Sequence, residues 1–269
     1  MNRIMPSTVQ AWVTHAVEIG LSPRSIGKYH TMLHSVFARA VRDRLIAFNP
    51  CAATELPKIV LRKGRILTPA EFERLIAEIP ARFTVMVLTA IETGLRWGEL
   101  AALRPEHIDF LGRTITVQET IVEVSRKDSP TGERLLVKPY PKDNEARTLR
   151  VSDSLLQALS ERIVALGLGR NDLLFPSTEV AGGQPLSRAT FNTRSWRPAV
   201  ARAGIDFNVR VHDLRHAHAS WLLAGGADLA AVMERMGHAQ IMTTQKYLHT
   251  LSDADERALT AFESVRRRR

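Results

Sequence analysis

Residues 93–100 read Thr93-Gly94-Leu95-Arg96-Trp97-Gly98-Glu99-Leu100. The residues before them, Arg82 to Thr93, are mostly apolar and read as a buried helix that Gly94 stops. Arg96 then stands at the beginning of a further helix, ahead of the apolar Leu100 and Leu103. An arginine at such a junction can point at a phosphate, with unpaired helical N–H groups nearby. The plainer reading pairs Arg96 with Glu99 on the surface, and this segment alone leaves both open.

Working outward toward the N-terminus, Thr68-Pro69-Ala70-Glu71 has the form of a capping box and opens a helix through about Ile79. Leu56 to Arg65, LPKIVLRKGR, reads as a basic linker, so two regions separate at about residues 57–65. Ahead of it, Trp12, Val13, Val17 and Ile19 form an apolar stripe that Gly20 closes. A second helix begins at Ser22-Pro23, an N-cap followed by proline at the first helical position. Its apolar face takes in Ile26, Tyr29, Leu33, Val36, Phe37, Ala40 and Val41, and Asn49-Pro50 is expected to end it. Two helices in so short a stretch make a thin core, so this region reads as an incomplete domain.

Toward the C-terminus, Ile115 and Val117, then Ile121, Val122 and Val124, then Leu135 to Val137, then Thr148 to Val151 read as strands. Polar turns at Asp128 to Gly132 and Pro141 to Glu145 predict one small antiparallel sheet. Helices are expected over Ser154–Leu166, Ser187–Ala203, His212–Leu223, Leu229–Met236, Thr243–Leu248 and Asp253–Val265. The fold class is therefore α+β and mostly helical.

Composition bounds the function. The chain has 269 residues, 45% hydrophobic and 24% charged, as a globular protein does. No stretch approaches the roughly 18 consecutive apolar residues of a membrane-spanning helix. MNRIMPSTVQ at the start has no apolar segment of the secretory kind. The single Cys51 excludes an internal disulfide and suits a reducing cytosol. Thirty-seven Lys and Arg against 28 Asp and Glu give a net charge of +9. The excess survives removal of Arg266 to Arg269 and favours a polyanionic partner, nucleic acid first.

Two further segments carry chemistry. In Val211-His212-Asp213-Leu214-Arg215-His216, His212 and Arg215 are i,i+3 neighbours on one helical face. His212 and His216 invite comparison with the zinc signature H-E-x-x-H, but Asp213 stands where that motif needs glutamate. Arg215 would also repel a dication there. His216 and His218 read as packing histidines. In the last segment Gly237 ends a short helix and presents His238 in a loop, and Tyr247 follows in a polar stretch. Taken singly, a tyrosine is usually half-buried packing.

In order, T-G-L-R-x-G-E-L, H-x-L-R-H, G-H and a tyrosine nine residues later resemble the tyrosine recombinase (phage integrase) family, from about Leu67 to Phe262. Met236 to His249 is similar to that family's L-G-H-x-x-x-x-T-x-x-Y-x-H segment, with methionine for leucine. The resemblance implies catalytic roles for Arg96, His212, Arg215, His238 and Tyr247. Pro141 to Arg147 resembles the family's P-K-T-x-x-S-x-R hairpin, which nominates Lys142. Asp143 and Ala146 depart from that pattern, and Lys138 lies close by. The family's chemistry implies Tyr247 as nucleophile, two guanidiniums on the scissile phosphate, a 3′-phosphotyrosyl intermediate, and neither cofactor nor metal. His212 would accept the tyrosine proton or bind the phosphate, and Lys142 would protonate the leaving 5′-hydroxyl.

The resemblance also implies domains: a partial helical core-binding domain over 1–57, a linker over 58–66, and a catalytic domain with the small antiparallel sheet over 67–269. It implies double-stranded DNA attachment sites as partner, a homotetramer in the synaptic complex, room for accessory DNA-bending or directionality factors, no membrane, and a cytoplasmic place on DNA. Ser22 to Leu56 resembles only the latter part of a core-binding domain, and the chain is expected to cleave DNA poorly in isolation. Asp253 to Phe262 is expected to pack on its own domain or on a neighbouring protomer. Competing readings are a type IB topoisomerase-like activity, a non-catalytic or defective DNA-binding remnant, and a metal-dependent hydrolase using His212 and His216.

Overall fold

A computed structural model of the chain describes residues 4–60, 65–125, 127, 129, 132–139, 146–178, 180 and 182–237. The chain divides into two compact units, Met1–Gly64 and Arg65–Arg269. No helix among the described residues is long and apolar enough to cross a membrane.

The first unit is built on α1 (Pro6–Glu18) and α2 (Pro23–Arg42). Ser22 caps α2 as expected, its hydroxyl accepting from the Ser25 amide at 3.1 Å. The buried face of α1 is Val9, Val13 and Ala16, while Val17 and Ile19 are exposed, so the expected stripe is shifted by about one helical position. On α2 only Ile26, His30, Phe37 and Ala40 are buried, and Tyr29 and Val36 face outward. Asn49-Pro50 does not end α2. The helix stops at Arg42, where Arg44 adopts a left-handed φ of 57° and the Leu45 amide bonds back to the Ala40 carbonyl at 2.9 Å. That closure satisfies a terminal carbonyl much as a glycine cap would. Asn49 instead returns to the helix, its amide donating to the His34 carbonyl at 3.0 Å.

The second unit is α+β and mostly helical. It opens on α3 (Pro69–Glu78), capped as its sequence predicts. The Glu71 amide donates to Thr68 Oγ1, and the Glu71 carboxylate accepts from the Thr68 amide at 2.9 Å. That backbone bond, aided by the Thr68 hydroxyl and the Arg65 guanidinium, holds the Glu71 carboxyl below its ordinary range. The apolar α4 (Ala81–Thr93) is buried and ends on Gly94, left-handed at φ 63°. A short α5 (Trp97–Ala101) follows.

The expected antiparallel β region is present but divided in two. Strands β1 (Ile108–Asp109), β2 (Thr114–Val117) and β5 (Arg147–Arg150) form one sheet in the order β1-β2-β5. Strands β3 (Glu119–Glu123) and β4 (Leu135–Pro139) form the other, with Ile121 opposite Val137. The division follows from packing. Ile115, Val117 and Leu149 join the main core, whereas Ile121 and Leu135 pack on Ala101 and Ala102 at the end of α5.

Beyond the sheets lie α6 (Asp153–Leu166), α7 (Arg188–Phe191), α8 (Arg197–Arg202), α9 (Asp213–Ala224) and α10 (Leu229–Met236). The single helix expected over 187–203 carries one π turn, Asn192–Trp196, between α7 and α8. Pro198 has no N–H for the ladder, and the Arg197 amide reaches five residues back to the Asn192 carbonyl. Trp196 is fully buried there, donating to the Val209 carbonyl at 2.8 Å. The helices expected over Thr243–Leu248 and Asp253–Val265 lie outside the described residues.

Candidate active site

The site is organised around the last carbonyls of α10. A helix ends with carbonyls that have no partner within it, and they gather the negative end of its dipole. Here three arginines from three other elements fill that need. Arg147 Nε donates to the Arg235 carbonyl at 3.2 Å. Arg215 Nη2 donates to the Met236 carbonyl. Arg96 Nη2 donates to the Gly237 carbonyl at 3.1 Å. Gly237 is left-handed at φ 59° and turns the chain out of the helix toward residue 238.

Arg96 is the N-cap of α5. It does pair with Glu99, through Nη1 to Oε1 at 2.9 Å and through its own amide to Oε2 at 2.9 Å. The pair is not a surface one, because the Glu99 side chain is 1% exposed while that of Arg96 is 40% exposed. Arg147, at the start of β5, grips the same carboxylate from the other side, Nη2 to Oε2 at 2.6 Å and Nη1 to Oε1 at 3.2 Å. A buried carboxylate shared by two guanidiniums fixes both in place. Trp97 stacks on Phe191, ring centroids 5.3 Å apart, and anchors α5 to the core.

Arg215 lies in the first turn of α9 and is 3% exposed. Besides the Met236 carbonyl, its Nη1 donates to the Gly94 carbonyl at 2.5 Å. His212 is the N-cap of α9, with its ring edge-on to that of His216 at 4.7 Å. Although His212 is an exposed residue, partial burial, then the nearby His216 and Arg215 charges, push its pKa down to about 4. It is therefore neutral at pH 7 and has a nitrogen lone pair to accept a proton. Asp213 is held by Arg210, whose amide donates to it at 2.8 Å and whose guanidinium bonds it at 3.1 Å.

His218 is buried beneath this layer. Arg235 Nε donates to its Nε2 at 3.2 Å, so its Nδ1 carries the proton and donates to the Ile91 carbonyl at 2.8 Å. Burial, with the Arg235 cation second, pushes its pKa down to about 4. Arg235 also donates to the carbonyls of Arg150 and Glu92, tying α10 to β5 and α4.

Of the site residues expected from sequence, Arg96 and Arg215 converge on the carboxyl end of α10, and His212 stands at the start of α9, three residues before Arg215. Lys142, His238 and Tyr247 lie outside the described residues. Lys138 is exposed on β4, opposite Thr120. Sequence reasoning missed the joint hold of Arg96 and Arg147 on Glu99. The capping spacing of Arg96 and Glu99 hints at half of it, but nothing local to Arg147 points to Glu99. Among the described residues no group of three or more His, Cys, Asp or Glu is gathered as metal ligands would be.

Comparison with known proteins gives consistent matches. The family model described as "Phage integrase family" matches residues 65–253. The prophage phiRv2 integrase of Mycobacterium tuberculosis is 29% identical over 256 residues, covering 94% of this chain and 64% of that protein. This chain thus spans just under two thirds of that relative's length. The tyrosine recombinase XerD of Rickettsia conorii is 27% identical over 271 residues, 95% of this chain and 83% of that one. A solved structure of the Tn1549 transposon integrase, in complex with a circular intermediate DNA, shares the fold. It superposes with a TM-score of 0.82 at 20% identity, covering 97% of this chain and 86% of that one.

Proposed function

The chain belongs to the phage integrase family, and on that premise we propose that it is a site-specific DNA recombinase that breaks and rejoins strands by transesterification. The observation that carries the reading is the convergence of Arg96 and Arg215 on adjacent carbonyls at the end of α10. Those carbonyls immediately precede the segment that bears His238 and Tyr247.

In the proposed reaction the Tyr247 oxygen attacks the scissile phosphorus and the bond to the 5′-oxygen breaks. An unperturbed tyrosine has a pKa near 10, so its proton must be taken up as the bond forms. His212 would accept it on its unprotonated ring nitrogen, or donate its ring N–H to a phosphate oxygen. Arg96 and Arg215 would spread the charge growing on the non-bridging oxygens, with His238 donating to one of them. Lys142 would protonate the departing 5′-hydroxyl. The product is a 3′-phosphotyrosyl bond, which keeps the phosphodiester's energy, so a second 5′-hydroxyl can reverse the step without ATP. A resident cofactor or metal has no step in this scheme.

In the same reading residues 1–57 are the helical core-binding part, 58–66 the linker and 67–269 the catalytic part. The partner is double-stranded DNA at attachment sites, engaged by four copies in synapsis. Accessory bending or directionality factors would act on that assembly.

The test is a set of nicked suicide duplexes tiling the DNA on either side of this chain's own gene. Wild type should become covalently attached to at least one, and Tyr247→Phe to none. Attachment by both proteins would move the nucleophile elsewhere, and attachment by neither would leave a DNA-binding remnant.

A further inference from the structure

The reaction proposed above uses no side chain from β5, yet Arg147 on that strand touches both the carboxylate that binds Arg96 and the carboxyl end of α10. Its two terminal nitrogens chelate Glu99, the carboxylate that also binds the Arg96 side chain and amide. Its Nε holds the Arg235 carbonyl, one residue from the carbonyl that Arg215 holds. A Cβ built on Gly237 would come within 3.1–3.3 Å of the Arg147 guanidinium and its stem, so side chain and turn are packed together. The Arg147 side chain is 12% exposed, too little surface for a residue whose task is to meet DNA directly.

We propose that Arg147 is a positioning residue for the strand-cleavage step, acting through Glu99 on Arg96 and through the α10 carboxyl end on the turn that leads to His238. This rests on the recombinase reading. The physical argument is one of geometry. Arg96 is bonded at one side to Glu99 and at the other to the Gly237 carbonyl. Arg147 bonds to Glu99 and, at Arg235, to the same carboxyl end of α10. Glu99 and the helix end are therefore each held by both guanidiniums, which closes a ring of hydrogen bonds. A planar fork with a third donor on its stem can span that gap, whereas an ammonium can hold only one side of it. Without Arg147 one of the two guanidiniums that tie the Glu99 carboxylate to the helix end is lost, and the position of Arg96 between them is held less firmly. A displacement of about 1 Å at a catalytic group is worth roughly a hundredfold in rate.

The experiment uses the full chain and the tiled duplex on which wild type forms its adduct. Single-turnover adduct formation is followed for wild type, Arg147→Met and Arg147→Lys, each shown folded by circular dichroism at the assay temperature. The same duplex is also made with a methylphosphonate at the scissile position. That linkage has lost the charge on one non-bridging oxygen, so its transition state depends less on a well-placed guanidinium. Arg147→Met should be slowed about a hundredfold on the phosphodiester but only about tenfold or less on the methylphosphonate. Arg147→Lys should recover part of the rate, and duplex affinity should stay within about threefold of wild type for both variants.

Equal slowing on the two substrates, no slowing at all, or failure of both variants to fold would each overturn the proposal and leave Arg147 a structural ion-pair partner. Absence of a wild-type adduct on every tiled duplex would instead overturn the recombinase reading, and this inference with it.

Discussion

Glu99 is a carboxylate at 1% exposure whose partners include the Arg96 and Arg147 guanidiniums and the Arg96 amide. Burying a charge is costly, and what offsets the cost is a full set of partners. Replacing it by the neutral amide in Glu99→Gln leaves Arg96 and Arg147 facing one another without the charge that joined them. We expect a loss on the order of 3 kcal/mol, measured as a shift of the urea midpoint. A loss below about 1 kcal/mol would mean that the pair is no stronger than an exposed one. His218 gives a pH dependence. Its pKa is about 4 in the folded chain against an ordinary 6.5, so the folded state binds the proton less readily than the unfolded state. Stability from this group is therefore complete above about pH 6.5 and is lost as the pH falls toward 4. The difference is on the order of 3 kcal/mol. Denaturant midpoints from pH 7.5 to 4.5 should show it, and His218→Gln should flatten that part of the profile.

At the scale of elements, Gly98 shows how a residue within a functional motif can serve packing. A Cβ there would lie 2.5 Å from both the Ile121 carbonyl oxygen and Thr120 Oγ1, so glycine is what lets α5 lie directly on β3. Gly98→Ala should force the two apart and cost about 1–3 kcal/mol. Thermal midpoints would check this, with a slower strand-cleavage reaction expected beside it because Arg96 caps α5. A wild-type midpoint would show that the β3–β4 hairpin moves aside freely. Helix ends were the most legible elements. Ser22, Thr68 and Gly94 cap the helices that their residue types announce, because capping is a contact between near neighbours in sequence. The end of α2 was not legible, since Arg44 takes a left-handed conformation that its residue type does not advertise. The outward faces of α1 and α2 misled for a related reason. Two helices bury only narrow stripes, and apolar residues such as Val17, Ile19 and Val36 remain outside them.

For the molecule as a whole, the proposed DNA partner and the charge of +9 together predict a salt dependence. If six to ten phosphates are contacted, affinity for a duplex should fall by about 10³ to 10⁵ between roughly 50 and 200 mM salt. A salt titration of duplex binding that stays nearly flat would argue against a phosphate-dominated interface. Fold class, the order of the described helices, and the short motifs that carry Arg96, His212 and Arg215 were all readable in the chain. They depend on periodicity, caps and short motifs, which are properties of residues a few positions apart. The division of the β region into two sheets was not readable, because strand partners are chosen by which core each face can join. Nor was the burial of Glu99 between Arg96 and Arg147, residues 51 positions apart in sequence that only tertiary packing makes neighbours. The sequence by itself determined that Arg96 and Arg215 stand at the beginnings of helices. The tertiary structure decided what holds Arg96 and Arg215 still, by setting the carbonyl end of α10 against three elements whose arginines it needs.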